Sequence, residues 1–373
     1  MTNTTSANGD APSNRATMQP IGAQAGDAVT DRLSELASAL VERELARHPE
    51  LAQRDGEPSR EESLQDAVYH LSHLAQALAL DNRALFLDYV AWAKVLLVQR
   101  KVLASDLARR LDCLAEVLLE RLPAPAGALA ADFAVGAARA IPEMADDMPT
   151  FLHAGEPLSP IAHQYLQALR RGERQVASRL VLDAVAGGAP VKEIYMHVFQ
   201  PAQHEIGRLW QTNRMTVAQE HYCSAATQLI MSQLYPYVFA TAKTNRSMVG
   251  TCVSGDLHEI GVRMVADFFE MEGWNSFYLG ANTPHPSVIS EIVDRDADVL
   301  AISATISYHV GAVRDLIHAV RQHPTAGRIR ILVGGYPFNQ DPELFRKLGA
   351  DGTAFDAPHA VATAHELLTA VTP

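Results

Sequence analysis

Three things are scarce in this sequence: cysteine, basic charge and long apolar runs. The three cysteines among 373 residues are too few and too scattered for a disulfide framework, which is typical of a reducing compartment. A formal net charge of −12 argues against nucleic acid or an anionic membrane as the main partner, because both bind basic surfaces. No apolar run reaches the roughly 18 residues of a membrane span, and no secretory signal pattern is visible. We therefore expect a cytoplasmic protein.

The chain divides into regions of different hydrophobic pattern. Residues 1–27 are poor in large apolar side chains, which predicts a disordered tail. Apolar residues then recur every three or four positions over 28–141, as in a helical domain. The segment 142–159, with its prolines and a glycine, indicates a linker. Residues 160–244 repeat the helical pattern and are long enough for a four-helix bundle, and residues 245–373 form the last region.

The pattern changes in this last region, where short β-prone runs alternate with helical stretches. The runs are Met248–Val253, Ser276–Leu279, Val299–Ser303 and Ile329–Val333. Strands that alternate with helices imply parallel βαβ units. The predicted fold class is therefore α + α/β: a helical N-terminal domain, a four-helix bundle and a C-terminal flavodoxin-like, doubly wound parallel sheet.

One loop of the predicted sheet carries the sequence Val-Ser-Gly-Asp-Leu-His-Glu-Ile-Gly. Loops that follow parallel strands meet at one sheet edge, where ligands bind. In an extended loop Asp256 and His258 can face the same side, and such a carboxylate holds one imidazole nitrogen so that the other can ligate a metal. Gly261 allows close approach of a bulky ligand at the next helix. The alternative is an ordinary solvated turn whose carboxylate begins a helix.

Small and hydroxyl-bearing residues follow the third and fourth strands at the same predicted edge. Together with the Asp-x-His loop, they resemble the cobalamin-binding domains of methionine synthase, B12-dependent mutases and corrinoid proteins. The resemblance implies that His258 is the lower cobalt ligand and that Asp256 supports it. It also implies that the dimethylbenzimidazole tail of the cofactor enters a slot lined by Gly261, Ser303, Thr305, Gly334 and Gly335.

The bundle contains a second motif, in which Trp210 precedes a loop and Glu220 and His221 open a helix. Taken alone, this pattern is typical of packing and of an N-terminal carboxylate. Directly before a cobalamin domain, it resembles the W-x9-E-H element of light-sensing adenosylcobalamin repressors. The resemblance implies that Trp210 and Glu220 hold the adenosyl group and that His221 orients their neighbours. Gln211 departs from those repressors, which have a cobalt-ligating histidine at this position.

The N-terminal region places polar aromatic residues, histidines and cations on predicted helices. A dimerising or scaffold bundle is the simpler interpretation. The order of the regions nevertheless resembles the photocobilins, photoreceptors that pair adenosylcobalamin with biliverdin in a globin-like helical domain. This resemblance implies a linear tetrapyrrole beside side chains chosen by residue type: His70, His73, Tyr89, Trp92, Lys94 and Arg100.

The resemblances together predict a photoreceptor rather than an enzyme. Light would cleave the cobalt–carbon bond of adenosylcobalamin and change a domain or oligomer arrangement. We expect a homo-oligomer that acts on a separate downstream protein, with biliverdin as a second chromophore. Two alternatives stay open: a corrinoid methyl carrier or mutase component of an enzyme system, and a light-independent adaptor that senses cobalamin. A methyl carrier requires an exposed upper cobalt face, whereas Trp210 and Glu220 suggest an occupied one.

Overall fold

The computed structural model describes residues 19–49 and 59–369. The described part of the N-terminal region contains the helices α1 Ile21–Asp31, α2 Leu33–Arg47, α3 Arg60–Ala79, α4 Arg83–Gln99, α5 Ala104–Arg121 and α6 Ala126–Ala140. The disordered tail expected over residues 1–27 is therefore wrong from residue 21 onwards, and residues 1–18 lie outside the described residues. Helix α1 gave little sequence signal because its buried positions are mostly small: Gly22, Ala25, Gly26 and Val29.

Two glycines bring α1 into backbone contact with α3. A Cβ atom on Gly22 would lie 2.5 Å from the carbonyl oxygen of Leu78. A Cβ atom on Gly26 would lie 2.7 Å from the carbonyl oxygen of Ala75. Both distances are shorter than van der Waals contact, so only glycine allows this approach.

Local sequence determines where the long helices α3 and α4 begin. The Ser59 hydroxyl accepts a hydrogen bond from the Glu62 amide, and the Glu62 carboxylate accepts one from the Ser59 amide. This reciprocal arrangement is a capping box. The Asn82 side chain caps α4 by accepting from the Ala84 amide at 3.1 Å. These caps fix the N-terminal ends of α3 and α4, the two helices that carry most of the candidate side chains of this region.

Residues 159–238 form the helical bundle. Its helices are α7 Ser159–Arg170, α8 Arg174–Ala186, α9 Val191–Ile194, α10 Gln200–Gln211, α11 Val217–Gln233 and α12 Tyr235–Val238. A π-helical turn over Tyr195–Phe199 joins α9 to α10, next to Pro201, which lacks an N–H group. Helix α11 begins at a capping box between Thr216 and Gln219.

Five parallel strands form the C-terminal sheet in the order β2-β1-β3-β4-β5. Their bounds are β1 Ser247–Cys252, β2 Asn275–Gly280, β3 Val299–Ser303, β4 Arg330–Gly334 and β5 Gly352–Ala354. The helices of this region are α13 Ile260–Met271, α14 His285–Asp294, α15 Val310–Gln322, α16 Tyr336–Gln340, α17 Leu344–Leu348 and α18 Ala357–Thr369. The order is flavodoxin-like, and the predicted fold class is confirmed. Strand β5 was missed because three residues are too few to show a β pattern.

Each face of the sheet belongs to a different apolar core. One face, which includes Val249 and Leu300, shares a core with α14, α15 and the N-terminal helices. The other face, which includes Met248 and Leu332, shares a core with α13, α18 and the bundle. The two helical regions therefore pack on the same sheet through separate cores. Within residues 19–49 and 59–369, no helix combines the length and apolarity needed to cross a membrane.

Candidate functional site

Three loops begin at the same level of the sheet. Cys252, Ser303 and Gly334 end β1, β3 and β4, and the strand register pairs them side by side. The loops that follow them carry the Asp-x-His motif and the small residues of the predicted slot. The structure therefore brings these candidates to one carboxyl edge, as a parallel sheet requires.

Asp256 and His258 form a hydrogen-bonded pair in the loop after β1. The Asp256 side chain is fully buried, and Oδ1 accepts from His258 Nδ1 at 2.8 Å and from the His258 amide at 3.0 Å. Its Oδ2 atom accepts from the Thr305 amide at 2.8 Å. Because an ionised carboxylate only accepts, Nδ1 carries the proton and Nε2 keeps its lone pair. The His258 side chain is 59% exposed, so Nε2 is accessible to a metal.

Opposing effects set the pKa values of this pair. Burial raises the pKa of Asp256, but the hydrogen bond from His258, the nearby His309 ring and hydrogen bonds from two backbone amides lower it more, so that it lies well below the usual range. For His258, the hydrogen bond to Asp256 raises the pKa more than burial lowers it. The carboxylate is therefore ionised at neutral pH, and a metal competes with a proton for Nε2.

The two glycines at the end of β4 hold the ends of neighbouring strands in close backbone contact. Gly335 has a φ of +104°, and a Cβ atom there would lie 2.1 Å from the Ala304 carbonyl oxygen. A Cβ atom on Gly334 would lie 3.1 Å from the Ala354 carbonyl oxygen. A larger residue at Gly335 would force the backbone of β3 or β4 to move.

The other slot candidates border open space. Ser303 and Thr305 are half-buried, and Gly261 is exposed at the start of α13. A Cβ atom on Gly261 would meet no other heavy atom within 4 Å. These residues leave room beside the Asp256–His258 loop, and their contact with a cofactor tail stays a prediction.

Exposed apolar side chains stand around this edge. Four of them, in the segments after β1, β3, β4 and β5, are called the apolar rim: Leu257, Ile306, Tyr336 and Phe355, exposed by 72, 37, 48 and 60%. Apolar side chains gathered at one exposed edge are typical of a surface that a ligand covers. A broad, largely apolar macrocycle fits this rim, and an accessible imidazole supported by a carboxylate fits a transition metal at its centre.

The bundle faces the same edge through the first turn of α11. The pKa of His258, raised mainly by its hydrogen bond to Asp256, is raised further by the charge of Glu220, so Glu220 is an electrostatic neighbour of His258. His221 is 74% exposed and lies 3.5 Å from the Glu220 carboxylate. Glu220 therefore lies within electrostatic reach of His258, whereas the His221 side chain is mostly exposed to solvent.

Trp210, at the end of α10, contacts the N-terminal helices. Its ring centroid lies 6.1 Å from that of Trp92 in α4. The neighbouring Gln211 is buried, and its amide donates to the Trp92 carbonyl oxygen at 3.0 Å. Gln211 therefore connects the bundle to α4.

Four of the six candidates in the N-terminal helices lie together. The Tyr89 hydroxyl is 2.8 Å from His70 Nδ1, and the His73 ring stacks on the Tyr89 ring with centroids 3.7 Å apart. The ring centroid of Trp92 lies 6.3 Å from that of Tyr89. Burial lowers the pKa of both histidines to about 3, so both are neutral near pH 7. Within the described residues, His70 Nε2 and His73 Nδ1 are buried without a hydrogen bond.

The two cations of that set lie elsewhere, contrary to the predicted grouping. The Lys94 ammonium donates to the carbonyl oxygens of Ile141 and Met144 and pairs with Asp146 at 2.8 Å. Arg100 is exposed at the C-terminal end of α4. Trp92 and Lys94 point in different directions because residues two positions apart in an α-helix differ by about 200° around its axis. The tetrapyrrole propionates would therefore find neither cation beside the aromatic group.

His309 belongs to the site but was missed in the sequence. It ends the 3-10 turn Ser307–His309 after β3, and its Nδ1 atom lies 3.4 Å from Asp256 Oδ2. A histidine a few residues beyond a strand that ends at the ligand edge is the signal that could have identified it.

Comparison with known proteins matches residues 246–364 and residues 161–235 to B12 binding domains. The dimethylamine corrinoid protein 3 of Methanosarcina acetivorans is 28% identical over 193 residues, which cover 50% of this chain and 89% of that protein. A corrinoid protein of Desulfitobacterium hafniense is 22% identical, over 54% of this chain and 94% of its own. The solved monomethylamine corrinoid protein of Methanosarcina barkeri has a similar fold, with a TM-score of 0.51 and 21% identity over 56% of this chain and 99% of that one.

These matches confirm the B12 binding domain and overturn the predicted photoreceptor. The relatives are named as corrinoid proteins, several of them for dimethylamine, which supports the alternative of a corrinoid methyl carrier over light sensing. The N-terminal helices lie outside both matched segments.

Proposed function

We propose that this chain, which carries B12 binding domains over residues 161–235 and 246–364, binds a corrinoid through His258 and serves as a methyl carrier in a methyltransferase system. The observation that carries the proposal is the buried Asp256 carboxylate holding His258 Nδ1 while Nε2 stays accessible. When bound, the corrinoid supplies a cobalt centre that can accept and release a methyl group.

The protein's own residues fix the orientation of the ligand. Asp256 keeps the proton on His258 Nδ1, which selects the tautomer whose Nε2 can bind cobalt. The apolar rim provides a surface for the corrin ring, because its exposed side chains leave water when the ring covers them. Gly335 keeps the ends of β3 and β4 close together, and the space beside Ser303, Thr305 and Gly261 is where we place the cofactor tail.

The partner side of the proposal comes from the relatives. Proteins named for dimethylamine match 44 to 50% of this chain at 26 to 28% identity. A methylated amine is therefore the substrate class that we would test first with a partner methyltransferase. Glu220 of the bundle lies within electrostatic reach of His258, so the bundle would have to move for a partner methyltransferase to reach a corrinoid held by His258.

The form of cobalamin that the chain prefers would distinguish this proposal from its rivals. Trp210 and Glu220 as contacts for an adenosyl group stay a prediction from resemblance, as does biliverdin on the N-terminal helices. Affinities of the purified chain for methylcobalamin and adenosylcobalamin, measured in the dark, test the carrier. We expect methylcobalamin to bind at least as tightly. Retention of adenosylcobalamin alone would contradict a methyl carrier.

A second candidate, a light-independent cobalamin-sensing adaptor, is favoured by one observation. The N-terminal helices are hydrogen-bonded to the α/β region, with Asn82 donating to Asp341 and Tyr336 donating to Asp88, both at 2.9 Å. Helices attached this closely to the ligand edge could report whether a corrinoid is bound. Hydrogen exchange of α3 and α4 with and without cobalamin tests this, and exchange that cobalamin does not change would contradict it.

A further inference from the structure

The Asp256 carboxylate has a neighbour outside its pair with His258. Its Oδ2 atom accepts from the Thr305 amide and lies 3.4 Å from His309 Nδ1. The His309 side chain is only 8% exposed, and within the described residues its Nδ1 makes no hydrogen bond of standard geometry. A buried N–H group needs an acceptor, and the carboxylate is the one it faces. A small rotation of His309 would be needed to complete that hydrogen bond.

Helix α3 of the N-terminal region covers the turn that carries His309. The ring of Tyr308 packs against the ring of His73, with centroids 5.8 Å apart. A Cβ atom on Gly311 would lie 2.1 Å from Gln76 Oε1, so the Gln76 amide contacts the first turn of α15 directly. Burial and then the charge of the nearby His309 lower the pKa of His73. Two side chains of α3 therefore contact the residues that flank His309.

We propose that α3 positions His309, and through it the Asp256 carboxylate, so that the N-terminal helices act on the lower cobalt ligand. This inference rests on the proposed function, because it takes His258 as that ligand. His309 is a positioning residue: its N–H group shares the negative charge of Asp256 with His258. A shift of α3 would move the turn and change how strongly the carboxylate holds the His258 proton, and hence the donor strength of Nε2.

The experiment uses the full chain and measures the ratio of bound cobalamin whose cobalt is ligated by His258 (His-on) to bound cobalamin that lacks this ligand (His-off). Absorption spectra report the ratio, and electron paramagnetic resonance of the Co(II) form shows the axial nitrogen as a splitting of the cobalt signal. His73→Ala and Gln76→Ala remove the two α3 contacts without touching Asp256. Gln65→Ala removes an exposed glutamine from the same helix and is the matched control. We expect each contact variant to change the ratio about 3- to 10-fold and the control to leave it unchanged.

A double-variant cycle tests whether the effect passes through His309. In a His309→Ala background, Gln76→Ala should have no further effect on the ratio. His309→Asn keeps a side-chain N–H donor and should restore the parental ratio. Circular dichroism establishes that each variant is folded, so that a changed ratio is assigned to the ligand and not to unfolding.

Two results would overturn the inference, and only one of them would also overturn the proposed function. If His309→Ala changes the ratio while His73→Ala and Gln76→Ala behave like Gln65→Ala, the coupling is wrong and the proposed function stands. If the parent chain shows no His-on signal, the proposed function fails, and the coupling fails with it.

Discussion

The N-terminal helices and the B12 module of residues 159–369 differ in how they use their polar side chains. In the module, Asp256 is buried in order to hold His258, whose other ring nitrogen stays accessible beside an apolar rim. In the N-terminal helices, the polar groups face one another: His70 meets Tyr89, and Lys94 is held by backbone carbonyl oxygens. An accessible donor atom with a buried support indicates ligand binding, whereas polar groups enclosed in a helical core indicate structure.

The substitution His258→Ala should have the largest effect, because it removes the proposed cobalt ligand. Asp256 is fully buried and His309 faces it, so neither can replace Nε2. We expect the absorption spectrum of bound cobalamin to show no His-on form. His318→Ala, at an exposed position on α15, is the matched control and should bind as the parent does. An unchanged spectrum for His258→Ala would end the assignment.

The substitution Gly335→Ala should destabilise the module at the contact between β3 and β4. The residue has a positive φ, and the new methyl group would collide with the Ala304 carbonyl oxygen. Gly188→Ala is the control, because Gly188 has a φ of +100° but no heavy atom within 4 Å of an added Cβ. Urea unfolding should show Gly335→Ala to be less stable than the control by about 1–3 kcal/mol. Equal values would mean that the strand ends adjust freely.

The substitution Asp256→Asn should weaken cobalamin binding without abolishing it. The amide can still contact His258, but it loses the negative charge that supports the imidazole as a ligand. We expect an affinity loss of about 10- to 100-fold, measured by titration with the cobalamin spectrum as the signal. A parental affinity would show that His258 binds cobalt without help from the carboxylate.

The comparison also explains which parts of the molecule were predictable from sequence. The parallel sheet and the Asp256–His258 pair could be predicted because β periodicity and ligand chemistry each require particular residue types at short spacing in the sequence. Helix α1 was not, because its contacts are made by glycine backbone. The same holds for His309, whose partner Asp256 is 53 residues earlier in the chain and is brought near only by the β1–β3 pairing. The predicted grouping of Lys94 with the aromatic side chains of the N-terminal helices was wrong because residue type alone does not tell which face of a helix a side chain occupies.

Acid should loosen the N-terminal helices before it breaks the Asp256–His258 pair. Burial lowers the pKa of His70 to about 3 from 6.5. Burying the neutral His70 side chain therefore costs no stability above pH 6.5. As the pH falls from 6.5 towards 3, the unfolded chain takes up a proton that the folded chain does not, and the free energy of unfolding falls by up to about 1.4 kcal/mol per pH unit. The pKa of Asp256 is lowered from 3.8, so the contribution of its ionised form is lost only below that value.

Hydrogen exchange at pH 7 and pH 5, corrected for the intrinsic rates, separates the two regions. We expect protection of α3 and α4 to fall at pH 5 while the loop of residues 253–259 keeps its protection. His70→Gln removes the titrating group and should make the protection of α3 less dependent on pH. A loss that is equal in both regions would show that they unfold as one unit.

The smallest expected effect lies at the contact between the bundle and α4. Gln211→Ala removes the part-buried hydrogen bond from the buried Gln211 side chain to the Trp92 carbonyl oxygen and should cost about 0.5–1.5 kcal/mol of unfolding free energy. Gln99→Ala removes an exposed bond of the same kind, to the Asp146 carbonyl oxygen, and should cost less. Because Gln211 faces α4 and not the ligand edge, the His-on ratio should not change. A change as large as that of Gln76→Ala would mean that the N-terminal helices reach the cobalt through the bundle as well as through His309.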